Sequence, residues 1–75
     1  MSDRLPSLRP QEVIRALERA GWTVDRQRGS HISMKKSGEA HLVVVAMHRR
    51  DLPRGTLAAI IKDSGLTQEE FLKLL

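Results

Sequence analysis

A glycine turn that opens into a strict two-residue alternation constrains this chain more than any other feature. Arg28-Gly29-Ser30 is followed by His31, Ser33 and Lys35 on one parity and by Ile32 and Met34 on the other. Period two is the mark of a half-buried β-strand, because successive side chains leave a strand on opposite faces. Ile32 and Met34 are expected to face a core. His31 and Lys35 are expected to share the other face and point to solvent.

The neighbouring stretches extend this strand into a sheet. Trp22-Thr23-Val24 carries the bulky and β-branched residues that favour a preceding strand, and Arg26-Gln27-Arg28-Gly29 reads as the turn between the two. Trp22, one of two aromatics, is expected as a core anchor rather than a base-stacking platform, which usually needs several aromatics. Ser37-Gly38-Glu39 is turn chemistry of the hairpin kind. His41 to Met47 then reads as a third strand, and its Val43-Val44-Val45 run predicts a central strand with little solvent on either face. Three strands joined by short turns predict an antiparallel meander.

Helical periodicity brackets the sheet. Val13, Ile14, Leu17 and Ala20 form one apolar stripe, with Pro10 and Glu12 suited to the first turn and Gly21 to the position just past the end. These predict a helix over Pro10–Ala20. Residues 1–9 show no periodicity and are expected as a loose leader before a single domain at 10–75. Asp51-Leu52-Pro53-Arg54-Gly55-Thr56 carries helix-start chemistry, Leu57, Ile60 and Ile61 give the stripe of a second helix, and Ser64-Gly65 ends it. Thr67 and Glu70 match a capping box for a short helix over Gln68–Leu74. The resulting order, α-β-β-β-α with an extra C-terminal helix, predicts a two-layer α+β domain. One sheet face is covered by helices, and the open face is where His31 projects.

Bulk properties narrow the chemistry. Seventy-five residues make one small domain, a size that buries only about 60% of its unfolded surface and leaves no room for a deep cavity. With no cysteine, disulfides, thiolate zinc sites and thiol nucleophiles are excluded. The first six residues hold no apolar signal core, and the longest apolar run, Leu42 to Met47, is far too short to span a bilayer. A soluble, cytoplasmic protein is expected. Net charge is +4, and its distribution is uneven. Between Arg26 and Arg54 stand seven cations (Arg26, Arg28, Lys35, Lys36, Arg49, Arg50 and Arg54) against Glu39 and Asp51. That middle surplus is the footprint expected for a phosphate-bearing or acidic partner.

Histidine exchanges a proton nearest to neutral pH. Cleaving an RNA phosphodiester requires a proton taken from the 2′-OH, a proton given to the leaving 5′-oxygen, and charge stabilised at phosphorus. His31 as acid or base, with Arg28, Lys35 and Lys36 as phosphate ligands, supplies a minimum set. RNA brings its own nucleophile, so no metal or other cofactor is needed. His48, followed by Arg49-Arg50, is a second candidate for proton transfer or phosphate binding. His41 lacks a close basic cluster. The spacing of the three histidines matches no compact metal motif, and neither a phosphate-binding glycine loop nor a nucleophile elbow is present.

Gly21-Trp22, then Arg28-Gly29-Ser30-His31, then an apolar strand ending in His48, then Asp51-Leu52-Pro53-Arg54-Gly55-Thr56-Leu57 and Ile60 to Leu66 together resemble the HicA (YcfA-like) toxins over about Pro10 to Leu66. The resemblance implies a fold like a double-stranded-RNA-binding domain. It also implies a small mRNA interferase that cleaves RNA without a metal, stops translation, and is blocked by a HicB antitoxin bound over its active site. It carries the catalytic role to His31 alone. Arg28, Ser30, Lys35, Lys36 and His48 are expected as RNA-binding residues. In one departure, relatives flank the later histidine with prolines, whereas Ala46-Met47-His48 keeps the histidine without them. The alternative is a non-catalytic module of the same fold that binds RNA or an antitoxin.

Overall fold

The computed structural model describes residues 5–75. Helix α1 spans Pro10–Arg19, strands β1, β2 and β3 span Thr23–Arg28, His31–Lys35 and Val43–Ala46, and helices α2 and α3 span Arg54–Asp63 and Gln68–Leu72. The strands form one antiparallel meander in the order β1-β2-β3. The molecule measures 35 × 29 × 17 Å, and its thinnest dimension admits one sheet and one helix layer, with no third.

The first helix begins and ends as its residues dictate. The Arg9 backbone N–H donates to Glu12 Oε1 at 2.9 Å, which satisfies a group with no partner inside the helix. At the other end Gly21 takes φ +102. Its N–H donates to Glu18 O, while Trp22 N–H donates to Leu17 O, both at 3.0 Å. This pair of bonds is the Schellman closure, which requires a left-handed residue and so favours glycine. The chain leaves α1 with Trp22 aimed inward and fully buried.

Helices α1 and α2 pack against β3. Beneath them lie Met34, Val43 and Val45 with Val13, Leu17, Leu57, Ile61 and Phe71, all buried. Thr67 caps α3 as expected, its Oγ1 accepting from Glu70 N at 3.0 Å while Thr67 N donates to Glu70 Oε1 at 2.9 Å. β1 reaches beyond the helices and is exposed along its whole length.

Three expectations are corrected. β3 is an edge strand, because in a meander the second strand sits between the other two, and Val44 is 49% exposed. Its valine run has one covered face, at Val43 and Val45, instead of two. Arg26 to Arg28 belong to β1, and the turn is the two-residue Gly29-Ser30, with Gly29 at φ +60. A glycine at the first turn position lets the backbone twist match that of the flanking strands. The leader is not loose over residues 5–9: Leu5 and Leu8 are buried in the core, and Leu8 O accepts from Leu52 N at 2.8 Å. The rest of that expectation, at residues 1–4, lies outside the described residues.

Candidate functional site

A β-bulge sets the composition of the open face. Residues paired across a ladder share a face. Thr23 pairs with Lys35 and Val24 with Met34, but the register then shifts, so that Arg26 pairs with Ser33 and Arg28 with His31. Asp25 is the extra residue. Without it, strand alternation would send Arg26 and Arg28 to the helix side, since a one-residue slip inverts every later side chain. With it, both guanidiniums stand on the open face beside His31.

The result is a shallow concavity of about 430 Å³ lined by Asp25, Arg26, Arg28, His31, Ser33 and Leu42. His31 is exposed, and among the described residues its ring makes no hydrogen bond or ion pair. It is the only imidazole among the lining side chains. Arg28 lies directly across the ladder from it, and a guanidinium offers a fixed fork of donors suited to phosphate. Asp25 is partly neutralised by Arg26 Nε at 3.7 Å and Lys35 Nζ at 3.6 Å.

The expected site residues separate into groups. His31, Arg28 and Lys35 share the open face. Ser30 stands at its end, in the turn, where its carbonyl accepts from Met47 N at 2.6 Å. Lys36 turns away: its stem lies against Gly21, where an added Cβ would meet Lys36 Cε at 3.3 Å. His48 lies two residues beyond Ala46, the partner of His31 on β3, and lines a separate hollow with Arg49 and Arg50.

His41 has a structural role. Its Nε2 lies 2.6 Å from the carbonyl of Asp63, the last residue of α2. A carbonyl can only accept, so Nε2–H donates, satisfying a carbonyl left free by the helix end. The ring also rests near Trp22, centroid to centroid 5.8 Å.

Sequence reasoning missed Arg26, Ser33 and Leu42 as lining residues. Arg26 was obscured because Arg-Gln-Arg-Gly reads as a turn. The alternation of Arg26 and Arg28 around Gln27 was the available signal. Among the described residues, no three His, Asp or Glu side chains converge as metal ligands, and no helix is long and apolar enough to cross a membrane.

Fold and site define a small α+β domain that presents a histidine among guanidiniums on an uncovered sheet face. Residues 10–66 match the family model described as the HicA toxin of bacterial toxin–antitoxin systems. The match covers about three quarters of the chain, and the chain belongs to that family. It is thereby the toxin component of a toxin–antitoxin system, a role that implies a partner antitoxin. Compared with curated proteins, the chain gives no significant match.

Proposed function

We propose that this toxin is a metal-independent mRNA interferase that cleaves message and halts translation in the cytoplasm until a HicB-type antitoxin covers its open face. The observation that carries the reading is the register that sets Arg28 opposite His31 and Arg26 opposite Ser33. In the reaction, the 2′-oxygen bonds to phosphorus as the bond to the 5′-oxygen breaks, leaving a 2′,3′-cyclic phosphate and a 5′-hydroxyl. His31 carries one of the two protons that move, from the nucleophile or to the leaving oxygen. Arg28 and Arg26 hold the non-bridging oxygens as charge builds on them. Lys35 adds long-range attraction from the same face, and Ser30 contacts the strand at the turn. Beside the cations, Leu42 and Val44 are about half exposed, an apolar margin suited to a protein partner.

The test compares wild type with His31→Ala for cleavage of a defined RNA and for growth arrest, with circular dichroism as the folding control. Loss of both activities in a folded variant is expected. Undiminished cleavage would overturn the assignment.

A further inference from the structure

A second basic cluster lies at the turn end of the sheet, outside the concavity of His31. Two hollows meet there. One, of about 400 Å³, is lined by His48, Arg49, Arg50, Asp51 and Pro53. The other, of about 240 Å³, has Arg9 and Gln11 on one wall and again His48 and Arg49 on the other. Arg9 is brought there by the segment that docks through the Leu8–Leu52 hydrogen bond. Among the described residues, Asp51 is the one carboxylate lining either hollow. Among the described residues, Arg9, Arg49 and Arg50 have no carboxylate within ion-pair distance. This differs from the His31 face, where Asp25 holds two cations.

The cluster continues the path of a strand that crosses His31. Met47 N donates to Ser30 O, so the ladder runs to the tip of the hairpin. His31 pairs with Ala46, about 5 Å across the ladder, and His48 is two residues further along, so the two histidine Cα atoms lie within about 12 Å. A span of that size is a matter of two or three nucleotides. Protein interfaces are anchored by apolar and aromatic side chains, but the exposed apolar residues, Val24, Leu42, Val44, Leu72 and Leu75, lie elsewhere. Cations around open hollows suit phosphate.

We infer that Arg9, Arg49 and Arg50, with His48 between them, form a second phosphate subsite that grips the RNA strand beyond the cleaved bond. The inference rests on the ribonuclease reading and extends it from a single phosphodiester to a single-stranded substrate several nucleotides long. It makes the docked segment before α1 part of the RNA-binding surface.

The experiment measures binding of single-stranded RNAs of about four and about twelve nucleotides, a range typical of single-strand sites, to His31→Ala protein, in which the RNA stays intact. The same titrations are run after adding Arg49→Ala and Arg50→Ala, and separately Arg9→Ala, with thermal melts as the folding control. Each lost phosphate contact lowers the slope of log affinity against log salt by about 0.7 for single strands. The Arg49/Arg50 variant should therefore lose about 1.4 in slope and roughly tenfold in affinity at low salt on the longer RNA. Arg9→Ala, on a different element, should lose about 0.7. The losses should shrink on the shorter RNA. An unchanged slope on the longer RNA, or equal losses at both lengths, overturns the inference. So does weakened antitoxin binding with intact RNA binding, which would make the cluster a protein contact. Wild-type cleavage is scored separately: cleavage with an unchanged slope removes the subsite alone, and no cleavage with the expected slope removes the ribonuclease reading alone.

Discussion

His31 and His41 look alike on paper, since each follows a glycine-containing turn and leads into apolar strand residues. The fold gives them opposite surroundings. His41 is tied at Nε2 to the end of α2 and lies near Trp22. Among the described residues His31 has no such tie, and across the ladder it faces Arg28, whose guanidinium stays charged and offers only hydrogen-bond donors. A histidine whose ring nitrogen is committed to a backbone carbonyl holds structure together. One left uncommitted beside guanidiniums is free to move protons. The contrast lies in partners, and partners are set by register and by which helix end comes near.

The sharpest way to break the contrast is His31→Ala. General acid or base catalysis contributes about 10²–10⁴ in rate, so cleavage should fall by at least a hundredfold. Stability should stay within about 0.5 kcal/mol of wild type, as expected for an exposed side chain with no partner among the described residues. A variant that instead melts early would show that His31 is structural after all.

His41→Ala should do the reverse. It removes a hydrogen bond to a helix-end carbonyl and part of the cover near Trp22. A loss of about 1 kcal/mol is expected, or roughly 4–8 °C in Tm for a domain of this size, with cleavage at a permissive temperature close to wild type. A large loss of activity without loss of stability would place His41 in the chemistry and dissolve the distinction.

Much of the fold was legible because its signals are local. Proline at the start of α1, glycine past its end, the Thr67/Glu70 box and the Ile32/Met34 alternation each act within a few residues, and the structure follows them. His31 and Lys35 were correctly expected on the open face for the same reason. What escaped is non-local. The edge position of β3 depends on strand order, so a valine run alone cannot reveal it. The docking of Leu8 depends on Leu52, far along the chain, and Leu5 is buried in the same core. Above all, the bulge at Asp25 has no local mark: neither glycine nor proline announces it. Yet it decides that Arg26 and Arg28 join His31 on the open face. Simple alternation sends Lys36, adjacent in sequence to Lys35, to the far side against Gly21.

The smallest expected effect separates the two things Asp25 does. As the extra residue it turns two arginines outward, and as a carboxylate it pairs with Arg26 and Lys35, where a bound phosphate would have to displace it. Asp25→Asn keeps the first and removes the second. Stability should change little, since exposed ion pairs contribute about 0–1 kcal/mol. Freed of the carboxylate, each cation that gains a phosphate adds about 0.7 to the salt slope of single-stranded RNA binding. In a His31→Ala background, affinity should therefore rise a fewfold at low salt and converge on that of the parent as screening sets in. If affinity falls instead, the carboxylate is aiming Arg26 and Lys35 at the RNA, and the face that looks uncommitted around His31 is as firmly held as the one around His41.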